Sequence, residues 1–186
     1  MNLFPAFLKL DGRDVLLVGG GIVAAGKLDS LLAAGARVTV VAPEIRQELQ
    51  RPSVRLFKRP FEPDDLQGKW FVIAAAPAAI NREVARAAAE RRVFVNAADD
   101  RDAASAFLGG VVRKGGVTVA VSTGGRAPAL AALLREALEA VLPDELPRWI
   151  DLAEQQRARW HARQVPLRAR RPLLLRALER LYGGAA

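Results

Sequence analysis

Cysteine is absent from this 186-residue chain, which excludes disulfides, thiolate metal sites and thiol catalysis. Histidine occurs once, at His161, inside an arginine-rich stretch where it reads as a surface residue. One imidazole and no thiol are too few donors for a permanent transition-metal site, so no metal-ligating residues are assigned. No uninterrupted apolar run approaches the roughly 18 residues needed to span a bilayer, and no membrane association is expected. The opening stretch MNLFPAFLKLDGRD is too short, and too interrupted by charge and Pro5, to read as a secretory signal. A cytoplasmic protein is the expectation. Internal repeats are also lacking.

What is present is an ordinary globular composition, 51% apolar, in a chain long enough for one large domain or a medium one with a smaller companion. The 28 basic residues outweigh 20 acidic ones, for a formal charge of +8, and arginine far outnumbers lysine. Such an excess favours polyanionic partners: nucleic acid, an anionic membrane surface, or a small molecule bearing many carboxylates. General arginine-richness is the plainer explanation of the same number.

Along the chain, residues 13–18 (RDVLLV) form a short apolar run stopped by three glycines, a buried-strand pattern. A helical pattern follows over about 23–34, with Leu28, Leu31 and Leu32 on one face, and Gly35 stands where a helix ends. A second apolar run lies at 38–42. Strand, helix and strand in so short a span predict a right-handed parallel crossover. The alternation continues with strands at 54–57 and 70–75, a helix at about 81–91 and a strand at 93–95. Together these predict an α/β fold of Rossmann type, with an open, mostly parallel sheet. Beyond Asn96 the style changes. Residues 106–112 and 117–122 read as a hairpin turning at Lys114-Gly115-Gly116, a helix follows at 128–141, and Pro143 and Pro147 punctuate a last basic helical segment.

Three features carry chemistry. Gly19-Gly20-Gly21-Ile22-Val23-Ala24 fits the dinucleotide fingerprint G-x-G-x-x-G/A. Its first glycine permits the tight turn, the second lets backbone approach a pyrophosphate, and the third small residue lets helix and strand pack closely. The anion would sit at the helix N-terminus, among free N–H groups; a glycine turn without a ligand is the alternative. No acidic residue marks the end of the second strand, which runs into Ala42-Pro43. Glu44 lies just past the proline and Arg46 close enough to meet a 2′-phosphate, so the fingerprint leaves NAD and NADP both open. Second, Asp99 follows the strand ending near Val95, where ligands gather outside the carboxyl ends of a parallel sheet, and it is a candidate proton acceptor. Asp100 and Asp102 are its rivals, within what could equally be a solvated acidic loop. Third, Ser122-Thr123-Gly124-Gly125-Arg126-Ala127-Pro128 has the makings of a backbone anion nest ahead of a helix, with helix capping by Ser122 or Thr123 as the simpler reading.

The glycine loop, AGARVTVVAPE at 34–44, Asn96-x-x-Asp99, Ala104-Ser105 with Phe107, and STGGRAPALA at 122–131 occur in this order and spacing. In this the chain resembles the siroheme synthase dehydrogenase/chelatase family over about Phe4 to Leu142; the tail matches only in being helical and basic. The resemblance implies an NAD-binding Rossmann domain over 1–105, a dimerisation region over 106–142 formed by the hairpin and helix, and a small helical domain over 143–186. It implies a homodimer that uses NAD to convert precorrin-2 to sirohydrochlorin, with ferrous iron insertion as a second activity of some members. It makes Asp99 the catalytic residue. The cofactor would contact Gly19, Gly20, Gly21, Ile22, Val23, Ala42, Pro43, Ala75 and Ala76, and the tetrapyrrole would contact Asn96, Ser122, Thr123, Gly124 and Gly125. A substrate with eight carboxylates would account for the positive charge without nucleic acid. Fused members carry a methyltransferase domain, for which this sequence has no room.

The chain departs from the family pattern in three places. Ala75-Ala76-Pro77-Ala78 stands where Ala-Thr-Asp-Asp is common, leaving no polar side chain near the cofactor. Gly26 replaces a charged helical residue, at a cost of roughly 1 kcal/mol in propensity. Gly109-Gly110 replaces proline and a small residue, which predicts a looser loop. Two other classes of function compete: a non-catalytic dinucleotide sensor, and a nucleic-acid or membrane-surface binder working through the arginines between Arg157 and Arg180.

Overall fold

The computed structural model describes residues 3–182. Residues 1–2 and 183–186, the outer ends of the expected first and last domains, lie outside the described residues. The chain forms two compact units, one running to Leu108 and taking in Gly124–Arg126, the other made of Gly109–Thr123 and the chain from Ala127 onward.

The first unit is built on a five-stranded, wholly parallel sheet of β1 (Asp14–Val18), β2 (Arg37–Val41), β3 (Arg55–Phe57), β4 (Phe71–Ala74) and β5 (Phe94–Ala97), in the order β3-β2-β1-β4-β5. This is the expected Rossmann-type arrangement. β1 pairs with β2 through Val15 opposite Val38, and with β4 through Val15 opposite Phe71. The chain first winds one way from β1 and then returns to its other side, which leaves a crevice at the carboxyl ends of β1 and β4.

Both faces of the sheet are buried, and for that reason the strands read as unbroken apolar runs. Val15, Leu17, Val38, Val40, Phe71 and Ile73 pack with Ala24, Leu28 and Leu31 of α1 (Ile22–Ala33). On the other face Leu16, Val18, Val72, Ala74 and Val95 pack with Val84, Ala85 and Ala88 of α2 (Ala78–Glu90). Alternate residues of each strand thus supply opposite cores. α2 begins three residues before the position read from the apolar periodicity, because Pro77 serves as its N-cap and Ala78 and Ala79 complete the first turn.

The second unit opens with the antiparallel hairpin of β6 (Gly110–Lys114) and β7 (Val117–Val121). Gly115 and Gly116, with φ of 54° and 81°, make a two-residue turn with both central residues left-handed. β6 begins at Gly110, later than the 106 expected, since residues 105–106 bond to Val95 instead. α3 (Pro128–Val141) covers this hairpin. A Cβ on Gly110 would lie 3.0 Å from the Ala131 carbonyl, and one on Gly109 would lie 2.0 Å from the Val121 carbonyl. The two glycines are therefore tightly backed rather than loose.

The tail resolves into two helices, α4 (Leu146–Ala162) and α5 (Leu167–Tyr182), packed on one another. Pro147 lies in the first turn of α4, where a missing N–H costs nothing. The Trp149 indole N–H donates to the Tyr182 hydroxyl, and the two rings meet edge-on. Among the described residues no helix is long and apolar enough to cross a membrane.

Candidate functional site

The glycine loop joins β1 to α1 at the crevice, and its three glycines have three different reasons to be glycine. Gly19 has a φ of 125°, and a Cβ there would come within 2.2 Å of the Ala75 carbonyl oxygen. Gly20 would place a Cβ 1.8 Å from the Glu44 carbonyl oxygen, and its own carbonyl accepts the Arg46 N–H at 3.0 Å. Gly21, the N-cap of α1, has a φ of −90° that any residue adopts, and a Cβ there would meet nothing within 4 Å. Space therefore opens at Gly21, where the first turn of α1 begins with no side-chain cap and no acidic residue. Free N–H groups, the positive end of the helix and a glycine facing open space suit the pyrophosphate of a dinucleotide. Ile22, at the start of α1, is 71% exposed, whereas Ala24 is fully buried against the sheet, as the third small position of the fingerprint requires.

Beyond β2, Ala42 is buried and donates its N–H to the Phe57 carbonyl, while Pro43 is exposed. Residues 44–46 then lie directly over Gly20. A 3₁₀ turn over Gln47–Leu49 follows, and Arg46, Gln47 and Glu48 line a surface concavity of about 500 Å³. The Arg46 guanidinium donates to Glu48 Oε1 at 2.9 Å and holds the Glu48 carboxyl below the ordinary carboxylate range.

On the other side of β1, a cleft of about 390 Å³ is lined by Val23, Ala75, Ala76, Asn81, Arg82 and residues 98–102. Asp99 sits at its rim, exposed, with a left-handed φ of 57°. Aspartate tolerates that conformation better than most residues. Its neighbour Asp100 is committed to the backbone: Oδ1 accepts the Ala103 N–H at 3.1 Å and Oδ2 accepts Arg82 Nε at 3.0 Å. The Ala103 N–H and then the Arg82 guanidinium hold this carboxyl below its usual range. Asp102 is exposed as well, and it lines the same cleft.

The Asn96 amide donates to the Ala106 carbonyl at 3.0 Å, and Ser105 Oγ accepts the Val95 N–H at 2.9 Å, which fastens the 105–106 segment beside β5. The STGG run is divided between the units. Gly124 and Gly125, with φ of 62° and 73°, belong to the first unit, where a Cβ on Gly125 would lie 3.4 Å from Phe107 and 3.5 Å from Arg101. Ser122 and Thr123 belong to the second, where Thr123 Oγ1 accepts the Ala127 N–H at 3.1 Å, closing the turn ahead of α3. The N-cap of α3 is Ala127, so neither hydroxyl caps that helix.

Residues 6–110 match the family described as putative NAD(P)-binding, and residues 114–140 match the family described as sirohaem biosynthesis protein central. Siroheme synthase 3 of Aeromonas hydrophila subsp. hydrophila is 42% identical over 188 residues, which cover 98% of this chain and 39% of that protein. The chain belongs to the siroheme synthase NAD(P)-binding family. A siroheme synthase of Photorhabdus laumondii subsp. laumondii is likewise 42% identical, over 92% of this chain and 37% of its own length. This family member thus spans about two fifths of the length of the curated relatives it matches. Among solved structures, the precorrin-2 dehydrogenase SirC has the same fold, with a TM-score of 0.71 at 24% identity over 94% of this chain and 88% of that one.

Sequence reasoning missed one residue of this siroheme synthase family member's cleft. Asn81 is 2% exposed on α2, its Oδ1 accepts the Ala76 N–H at 2.9 Å, and its Nδ2 donates to the Ala98 carbonyl at 3.2 Å. One side chain thereby ties the loop after β4 to the loop after β5, and takes over the bracing that Ala75-Ala76-Pro77 cannot supply. The available signal was a lone asparagine at a position where the helix period (Asn81, Val84, Ala85, Ala88) called for an apolar residue. Asn81→Leu keeps the branching and the number of heavy atoms but deletes both bonds. We expect it to cost about 1–3 kcal/mol and to weaken dinucleotide binding at least tenfold, measured by thermal denaturation and NADH titration.

Proposed function

We propose that this chain uses NAD to dehydrogenate precorrin-2 to sirohydrochlorin. The observation that carries this reading is that Val23, Ala75 and Ala76, beside the glycine loop, line the same cleft as Asp99. Family membership supports it, as does a fold shared with a precorrin-2 dehydrogenase.

On this reading the N–H groups at the start of α1 would hold the pyrophosphate, with Gly19, Gly20, Gly21, Ile22 and Val23 as the cradle, and Ala42, Pro43, Ala75 and Ala76 would be the other residues in contact with the cofactor. The bound nicotinamide supplies a hydride acceptor. Losing a hydride, precorrin-2 must also lose a proton, and we assign to Asp99, exposed on that cleft, the role of taking it and releasing it to solvent. Asp100 and Arg82 hold the turn that presents Asp99. Within the first unit, Asn96, Gly124 and Gly125 are the residues we assign to the acidic tetrapyrrole. If ferrous iron is a second substrate, as in some members of the family, the two pyrrolic protons that leave as it enters the macrocycle would pass to solvent by the same carboxylate.

The test is anaerobic incubation of the purified protein with precorrin-2 and NAD, followed by absorbance, with and without ferrous ion. We expect NADH and sirohydrochlorin to appear in equal amounts. Dinucleotide binding without turnover would favour a non-catalytic sensing module instead.

We assign 1–105 to the dinucleotide domain, 106–142 to dimerisation and 143–186 to a helical domain. Leu130, Leu133, Leu134 and Val141 of α3 are exposed within their unit, a row too apolar to be left to water. Sedimentation should therefore find a homodimer at micromolar concentration, and Leu133→Glu with Leu134→Glu should shift it to monomer.

A further inference from the structure

The loop after β2 holds an ion pair that the proposed chemistry does not use. Gly20 can only be glycine because the Glu44 carbonyl would lie 1.8 Å from a Cβ there, and the Arg46 N–H is bonded to the Gly20 carbonyl. The 44–46 segment is thus fixed against the phosphate-binding loop by contacts independent of any side chain in it. Immediately beyond, Arg46, Gln47 and Glu48 line the concavity outside the carboxyl end of β2. This is the side of a dinucleotide-binding sheet that meets the adenosine ribose.

We infer that the Arg46–Glu48 pair sets the choice between the two nicotinamide dinucleotides, with Glu48 as the residue that excludes a 2′-phosphate; this rests on the dinucleotide reading of the glycine loop. Arg46 is the cation available in that concavity, and its guanidinium is engaged by Glu48 at 2.9 Å. A phosphate on the ribose would have to compete with a carboxylate for that cation and accept a like charge beside it. A ribose hydroxyl, being neutral and an O–H donor, carries no such cost and can donate to a carboxylate. The chain has no acidic residue at the end of β2 itself, where one commonly selects NAD. Glu48 supplies that negative charge from seven residues beyond Val41, on a turn that the Gly20 clamp keeps in place.

NADH and NADPH titrations of the full chain, followed by nicotinamide fluorescence, test this in the parent protein, Glu48→Gln and Arg46→Ala. The parent should bind NADH at least tenfold more tightly than NADPH. Glu48→Gln releases Arg46 and should narrow that ratio tenfold or more, almost wholly through tighter NADPH. Adding Arg46→Ala to Glu48→Gln should abolish the gain, which a general loosening of the loop would not do. Both positions are half-exposed, so the variants should melt with the parent. A parent that prefers NADPH, or a ratio unchanged in a folded Glu48→Gln protein, overturns the assignment while leaving the dinucleotide reading intact. If the folded parent binds neither nucleotide, the dinucleotide reading itself fails and this inference with it.

Discussion

Gly20→Ala should melt roughly 6–12 °C below the parent, while Gly21→Asp should melt alongside it and bind no measurable dinucleotide. The contrast follows from what each new side chain would meet. At Gly20 a single methyl group would fall 1.8 Å from the Glu44 carbonyl oxygen, and rigid backbone lies on both sides of that contact. Either the glycine loop or the loop after β2 must move, and overpacking of this kind costs roughly 3 kcal/mol. For a chain of this size each kcal/mol lowers the midpoint by about 2–4 °C. At Gly21 the space is open and φ is ordinary, so the fold has no objection to a side chain. A pyrophosphate does object, since the aspartate would occupy the approach to the α1 N-terminus and add a negative charge where an anion belongs. The loss of NADH affinity should exceed a hundredfold, read by titration, with denaturation curves as the control. Unchanged affinity in a folded Gly21→Asp protein would remove the glycine loop from the cofactor site.

Asp99→Asn should lose between about a hundredfold and ten-thousandfold in precorrin-2 turnover, the range expected when a positioned base is deleted, while NADH binding stays as it was. Asparagine is the informative replacement because it tolerates a left-handed backbone and removes only the charge. Asp99→Gly adds a second arm: glycine relieves the φ of 57°, so this variant should melt at least as high as the parent and still be inactive. A side chain that merely held the loop would show the opposite pattern, losing stability rather than turnover. Asp102→Ala should keep nearly full activity. Asp100→Ala should lose activity indirectly, since it frees Arg82 and the Ala103 N–H and lets the turn relax. Near-parent rates for Asp99→Asn at saturating substrates would leave Asp99 as a loop residue.

The sheet was legible in the sequence because a parallel sheet buried on both faces leaves an apolar run for every strand: VLLV, VTVV and FVIA stand out between glycines, prolines and charges. The glycine loop was legible because the fingerprint is local. Contacts between distant segments left no such trace. Gly20 occupies the variable place of the fingerprint, and its need to be glycine comes from a carbonyl in another loop. Asn81 looked like one polar residue on the edge of an alanine-rich helix. Asp99 and Asp100 are adjacent and chemically identical; what separates them is that Arg82, on the preceding helix, and Ala103 claim only the second. The tail was read as one basic segment because arginines stand on both sides of residues 163–166; the chain in fact turns there from α4 to α5, at Gln164-Val165-Pro166.

The position of β1 at the middle of the sheet also bears on the order in which the protein can assemble during synthesis. Val15 finds its β2 partner at Val38 but its β4 partner only at Phe71. Closing the longer loop costs roughly 0.8 kcal/mol more in chain entropy, and it must wait until the ribosome has delivered the later segment. The half-sheet of β1, β2 and β3, with α1 and the clamp of residues 44–46 on Gly20, lies entirely within the stretch from Asp14 to Phe57. A nascent chain therefore holds everything needed to close the phosphate cradle well before Ala75 or Asp99 has been translated. The glycine loop and its clamp are thus complete before the later residues that we assign to the cofactor and the substrate exist.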